Sequence, residues 1–419
     1  MSSIKSIKAR EIIDSRGMPT LEVECKTEDG IFVDSVPAGA SKGEKEVVEL
    51  RDKEARYGGM GVSKAADNIN RIISARLKGF NPEDQKTIDN LMIVLDGSSD
   101  KSNLGANSIL GVSLAVCRAG AKARGLELFE HISSLFLGRY KRKYKIPKAC
   151  FNVINGGKHA GNNLDFQEFM IVPSAESFKE ELRIAVEVYQ ALKKRLEKNY
   201  SKTAINVGDE GGFAPPIDMA EVALGILIKS IEGAGFRGSI QLMLDVAATS
   251  FFKNNYYVLS TGGLTKDELL DYYSDLVFKY PIIGLEDPLE ENDWQGFREI
   301  TSELGRKIMI VGDDLLASQE KYIKKAKEEE ACNAVILKLN QVGTVSELLE
   351  SASLAKEYGW KTIVSHRSGE TNDDFIVDLA VGISADFIKA GAPARGERTV
   401  KYNRLLKIEE MLKYLIDNK

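Results

Sequence analysis

Eight apolar runs, ending near Asn155, Pro173, Asp245, Glu286, Asp313, Lys338, Ser365 and Lys389, punctuate the chain beyond residue 145. Amphipathic stretches at 177–199, 219–234 and 344–358 lie between several of them. The later intervals, Glu286 to Asp313, Asp313 to Lys338, Lys338 to His366 and His366 to Lys389, are 27, 25, 28 and 23 residues, one βα unit each. Eight such strands over about 280 residues predict a β/α barrel, for which roughly 250 residues is typical.

Within the sixth run, AVILKLNQ (334–341), Lys338 interrupts an otherwise apolar segment. Val335, Ile336, Leu337 and Leu339 read as a strand buried on both faces. Two readings stand side by side. Lys338 closes the strand with a buried stem and a wet ammonium, or it faces a polar cavity at the carboxyl end of the barrel and acts as a base of lowered pKa. Asp245, Glu286 and Asp313 each close an apolar run in the same way. Any one of them could be a helix cap or a turn residue. Three converging at one face would repel unless a hard dication met their oxygens, and Mg²⁺ is the expectation.

The glycine-bearing segments GGKHAGNN (156–163) and GDEGG (208–212) are polar loops whose glycines could simply make turns. His159 and His366 lie in such loops, and His366-Arg367-Ser368 is a run of donors suited to an anion such as phosphate. His131, in an apolar helical context, reads as structural.

Before the barrel the pattern differs. Three β-rich runs between Ile4 and Pro37 predict an antiparallel meander, and helical periodicity follows from Ser63 to about Ser134. Small residues crowd GANSILGVSLAVCRAGAKARG, which suits close helix packing and matches no nucleotide loop. The expected division is a smaller α+β domain over 1–135 and a barrel over 136–419. At 419 residues the chain exceeds one ordinary core, in keeping with two domains.

A net charge of −5 with mixed signs gives no footprint for nucleic acid or an anionic membrane, and the basic run 139–145 reads as a solvated linker. Four scattered cysteines without a CxxC pair, an amino terminus lacking an apolar signal core, and no stretch long enough to span a bilayer make a cytoplasmic location the expectation.

The stretches AREIIDSRGMPTLEVE, VPAGASKGEKE, GANSILGVSLA, NVINGGKHAGNNLDFQEFMIVP, VGDEGGFAP, LMLDVAATSF, IIGLEDPLEENDW, VGDDL, ILKLNQVGT, VSHRSGET and IKAGAPARGER, in this order, resemble the enolase family over nearly the whole chain. The resemblance implies reversible dehydration of 2-phospho-D-glycerate to phosphoenolpyruvate with two Mg²⁺ ions. It implies Lys338 as the base at C2 and Glu210 as the acid at the C3 hydroxyl. Asp245, Glu286 and Asp313 become ligands of the first ion, and Ser41 a ligand of the second. His159, Gln167 and Glu168 belong beside the substrate, Arg367 and Ser368 on its phosphate, Lys389 on its carboxylate, and His366 nearby. Glu210 would need a raised pKa, expected from crowding by Glu168, and Lys338 a lowered one, expected from the positive charge of the metal ions and Lys389. A homodimer is implied as the building block, and some relatives assemble further.

Thr249 and Ser250 stand where a serine and a glutamate are usual, and Gly396 where a serine is usual. Two rivals are a racemase or lactonising enzyme of the same superfamily and a binding protein that kept the fold and lost catalysis. The SHRSGET run and the Ser41 loop speak against the first. Intact base, acid and ligand positions speak against the second.

Overall fold

The computed structural model describes residues 2–40, 43–139 and 143–417. An antiparallel sheet of β1 (Ser6–Ile13), β2 (Pro19–Thr27) and β3 (Gly30–Ser35) opens the chain, as the meander pattern predicts. Along β2 the side chains of Leu21, Val23 and Cys25 are buried while Glu22 and Glu24 face outward, the alternation a half-buried strand requires. The buried face packs on helix Ala106–Ala123, whose small residues let it come close. A Cβ at Gly111 would lie 2.6 Å from Val23 Cγ2, so glycine is needed at that crossing.

The barrel strands are β4 (Lys148–Asn155), β5 (Glu168–Pro173) and β6 (Ile240–Asp245), and, after a small sheet of β7 (Phe252–Lys253), β8 (Tyr256–Leu259) and β9 (Gly262–Leu264), β10 (Ile282–Glu286), β11 (Met309–Gly312), β12 (Ala334–Leu337), β13 (Lys361–Ser365) and β14 (Phe387–Lys389). They close in the ring order β6-β10-β11-β12-β13-β14-β4-β5. All neighbours are parallel except β5, which runs antiparallel to both β4 and β6. A strand, loop, helix rhythm does not anticipate this inversion. The loop after β4 returns without a crossover helix, so β5 starts at the catalytic end. Glu168, its first residue, therefore pairs with Asp245, the last of β6.

Period-two alternation then decides what faces inward. Cys150, Met170, Val172, Met243, Met309, Val311, Ala334, Ile336 and Ile363 form an apolar cluster contributed by six strands, which places it inside the ring. Two residues further toward the mouth stand Asn152, Glu168, Asp245, Asp313, Lys338 and Ser365. Gly284, facing Met243 and Met309, and Phe387 precede Glu286 and Lys389 in the same way. The polar residues at the mouth thus continue the inward rows of the core, as barrel layers do.

The first domain is fastened to the barrel by half-buried ion pairs from Arg118, itself anchored on the buried Asp34. Arg118 reaches Asp34 at 2.6 Å, Asp373 at 2.8 Å and Asp374 at 3.1 Å, and Ala38 pairs with Gly369 as an isolated antiparallel bridge. Of the departures from the family pattern, Thr249 accepts the Glu291 amide through Oγ1 at 2.9 Å. Gly396 opens helix Gly396–Asp417, where a Cβ would have 4.0 Å of clearance.

His131 is fully buried in helix Leu128–Leu137, and neither ring nitrogen has a hydrogen-bond partner. Burial, aided by Arg124, pushes its pKa down to about 4. Above the unfolded value near 6.5 neither state is charged; between there and about 4 only the unfolded chain takes the proton, so stability falls with pH. The expected loss attributable to His131 is on the order of 3 kcal/mol. Urea midpoints at pH 7 and pH 4.5 should therefore separate more for the wild type than for His131→Leu.

Candidate active site

The mouth residues enclose a polar cavity lined by Gly39, Ala40, His159, Gln167, Glu168, Glu210, Asp245, Asp313, Lys338, His366, Arg367, Ser368 and Lys389, together with Ala247, Asp287, Asp314 and Ser365. All but one of the sequence-predicted residues meet in or beside it. Glu286, with no exposed surface, stands just behind. Ser41 lies outside the described residues. A larger cavity between helix Lys266–Lys279 and the β8–β9 hairpin shares no residue with these.

Lys389 is the hub. Its ammonium lies 2.9 Å from Asp245, 3.0 Å from both oxygens of Glu286 and 3.1 Å from Glu168. Burial pushes Lys389 down, but these carboxylates outweigh it and hold the ammonium well above its ordinary range. One cation cannot serve three acids equally. Burial and Asp245 push Glu286 up to about 8.

Lys338 is not a solvated strand end. Its side chain is 12% exposed and its ammonium pairs with Asp313. Burial pushes Lys338 down, but the Asp313 charge wins and raises it, with Arg367 opposing. The protein's own charges thus set a direction opposite to the lowering expected from bound metal ions and Lys389, because the nearest of them is the Asp313 carboxylate. Asp313 responds oppositely: burial raises it, and Lys338 holds it below the usual range.

On the opposite wall, the GDEGG loop is bound to β4 by the Ile154–Phe213 bridge and to the His159 loop by the Asp209 amide on the His159 carbonyl at 3.0 Å. A Cβ at Gly208 would lie 2.3 Å from that carbonyl, which explains the glycine. Glu210 receives Asn152 Nδ2 at 3.0 Å on Oε2, with His366 Nε2 3.4 Å from the same oxygen and His159 Nδ1 3.4 Å from Oε1. Burial raises Glu210, and His366 and His159 in their charged forms pull it well below the usual range. Burial, however, pushes His366 itself down to about 3 and lowers His159, toward their neutral forms. Burial and the Glu210 charge instead raise Glu168. Lys389, 3.1 Å from Glu168, opposes that rise without cancelling it.

Arg367 forms a two-pronged pair with Glu46, at 3.1 Å on each arm, and donates to Asn340 Oδ1 at 3.0 Å. Ser368 Oγ accepts the Ala40 amide at 2.7 Å, tethering the loop that leads into Ser41. Gln167 Nε2 donates to Asp245 at 3.2 Å. Sequence reasoning missed Asn152, Glu46, Asp287 and Arg398. The inward parity of β4 and the doubled acids after β10 and β11 carried signals for Asn152 and Asp287. Nothing local marked Glu46.

The carboxylates suit a hard divalent ion by chemistry. Their donors are all oxygen, they leave adjacent strands β6, β10 and β11, and the cations that balance them are two lysines. The closest convergence among the described residues is not that trio, however. Ligand atoms come within 4.8 Å of one another in Asp287–Asp313–Asp314 and in His159–Glu168–Glu210. Lys389 draws Asp245 and Glu286 together while Lys338 draws Asp313 aside. Asp287 also accepts the amides of Asp313 at 2.9 Å and Asp314 at 2.8 Å, and so shapes the turn that presents Asp313.

Comparison with known proteins agrees with this architecture. Residues 143–416 match the family model described as enolase, C-terminal TIM barrel domain, and residues 4–132 match that of the enolase N-terminal domain. Enolase B of Dictyostelium discoideum is 49% identical over 427 residues, covering 99% of this chain and 96% of its own. The enolase of Methanococcus vannielii is 49% identical over 413 residues, covering 98% and 95%. That of Methanocaldococcus jannaschii is 49% identical over 411 residues, again covering 98% and 95%.

An ion that binds only the folded protein stabilises it, by about 2.7 kcal/mol at a hundredfold excess over its Kd. Mg²⁺ added to chelator-treated protein should therefore raise the thermal midpoint. Asp313→Asn and Asp245→Asn should each remove most of that rise; an undiminished rise in both would exclude these carboxylates as ligands.

Proposed function

The chain belongs to the enolase family, and on that premise we propose how its site carries the family's reaction. The protein is a phosphopyruvate hydratase, a lyase that interconverts 2-phospho-D-glycerate and phosphoenolpyruvate plus water. Lys338 is assigned as the base that removes the C2 proton, and Glu210 as the acid that protonates the departing C3 hydroxyl. The observation that carries this reading is their placement on facing walls of one cavity. Lys338 follows β12 and Glu210 is held beside β4, three strands round the eight-strand ring. A proton can thus leave on one side of the substrate while the hydroxyl is protonated from the other.

Removing a proton beside a carboxylate puts two negative charges on one small group, and a preorganised cationic wall is what makes that accessible. Lys389 is assigned to the substrate carboxylate. Arg367 and Ser368 are assigned to the phosphate, for which a planar guanidinium is suited. Arg367 must then share or give up its Glu46 partner. His159, Gln167, Glu168 and His366 complete the walls and keep the cavity narrow.

Two Mg²⁺ ions belong to this reading, one on Asp245, Glu286 and Asp313 and one with Ser41. When bound they supply Lewis-acid stabilisation of the dianion and offset the carboxylate charge that holds Lys338 protonated. The chain's own task is to bring Lys338 to its neutral form next to C2 and Glu210 to its acid form next to C3.

A homodimer in the cytoplasm is part of the same proposal. All four cysteines are buried and free, which suits a reducing compartment. Among the described residues no helix is long and apolar enough to cross a membrane.

Purified protein with Mg²⁺ should generate the ultraviolet absorbance of the enol ester from 2-phosphoglycerate. Lys338→Ala should abolish exchange of the C2 proton with solvent, whereas Glu210→Gln should block dehydration and leave exchange measurable. General acid–base steps of this kind contribute about 10²- to 10⁴-fold, so each loss should be of that size. Equal loss of exchange in both variants would overturn the division of roles.

A further inference from the structure

Two buried side chains on the acid wall have no part in the roles assigned above. Asn152, with no exposed surface, occupies an inward position of β4 and donates from Nδ2 to Glu210 Oε2 at 3.0 Å. Its Oδ1 has no partner. A buried polar atom left unsatisfied costs about 1–3 kcal/mol, so an amide here is a poor choice unless its N–H matters.

Arg398, also fully buried, comes from helix Gly396–Asp417. Its guanidinium donates to the carbonyls of Arg367 at 2.7 Å, Ser368 at 2.6 Å and Asp209 at 3.0 Å, and lies 2.6 Å from His366 Nδ1. A guanidinium has five donors and no acceptor, and it stays charged in proteins. His366 Nδ1 must therefore offer its lone pair, and the ring proton of the neutral histidine is on Nε2. That nitrogen is the one 3.4 Å from Glu210 Oε2. Asn152 is thus hydrogen-bonded to that oxygen, and the His366 Nε2–H stands 3.4 Å from it, short of a formed hydrogen bond. The oxygen has two lone-pair directions to receive both. Oε1 lacks a counterpart to the Asn152 hydrogen bond; its neighbour is His159 Nδ1 at 3.4 Å, which, like His366 Nε2, makes no hydrogen bond here.

We propose that Asn152 and, through His366, Arg398 are positioning residues that fill Oε2 of Glu210 with donors and so confine the acid's proton to Oε1, on the His159 side of the cavity. This rests on the reading of Glu210 as the acid. In the dehydration step the Oε1–H bond breaks and the proton passes to the C3 hydroxyl oxygen. The C3–O bond breaks, its electron pair leaving with water, and the pair left at C2 by proton removal becomes the C2=C3 double bond. Glu210 ends as a carboxylate whose charge is received on Oε2 by the Asn152 amide already in place and by the His366 N–H 3.4 Å away.

The chain has only three histidines, so ¹⁵N long-range correlation spectra can report the tautomer of each, assigned with His131→Gln and His159→Gln. In the wild type His366 is expected as Nε2–H; an Nδ1–H tautomer would overturn the Arg398 half directly, whether or not Arg398 variants fold. For Asn152, the full-length protein with Mg²⁺ and 2-phosphoglycerate is assayed for dehydration and for C2 proton exchange. Asn152→Ala and Asn152→Asp should each lower the dehydration kcat by about 10- to 100-fold, the scale of a misplaced catalytic group, with exchange and KM changed less than about 3-fold. Exchange and dehydration falling together, or an unchanged ratio, would overturn the proposal. Glu210→Gln run alongside separates the two readings. If it dehydrates normally the acid assignment fails; if it does not, and the Asn152 variants keep the wild-type ratio, only the positioning role fails.

Discussion

The Lys389 ammonium is enclosed by Asp245, Glu286 and Glu168 at 2.9 to 3.1 Å, all buried. A single charge in such a place would be expelled or neutralised, and three carboxylates without it would not all ionise. Each group is tolerable only because the others are there. This mutual dependence spans four strands of the ring, β14, β6, β10 and β5, and binds the mouth into one electrostatic unit. Removing one partner would leave an uncompensated buried charge, which is far more costly than never having built the cluster.

The same cluster orders the rest of the site. With Lys389 committed to Asp245 and Glu286, Asp313 is left to Lys338, and Asp287 fixes the turn that presents it. On the other wall Glu210 accepts from Asn152 and has two histidine nitrogens 3.4 Å from its oxygens, and its neighbour Glu168 is raised by burial and by the Glu210 charge. Which carboxyl carries a proton therefore depends on burial and on the balance of neighbouring charges: Glu286 is raised although both its oxygens meet Lys389. Charge neutralised within the cavity also explains how so many ionisable groups can share so little room.

Much of the fold was legible because its signals are local. The apolar runs and their spacing locate all eight barrel strands, and period-two alternation carries each inward row to a polar residue at the mouth. The small residues of helix Ala106–Ala123 announced close packing, and Gly111 against Val23 is where it happens. The antiparallel β5 was hidden, since a strand's direction is not written in its hydrophobic pattern. The Glu46–Arg367 pair was hidden as well, because 321 residues separate its partners.

The sequence by itself determined the barrel, the meander, the residues that end its strands and the family they resemble, since periodicity and motif order are properties of neighbouring residues. Only the tertiary structure decided which charges touch. Protonation depends on distance, burial and charges contributed by different strands, and so only the fold shows Asp313 holding Lys338 protonated and His159 and His366 standing beside Glu210.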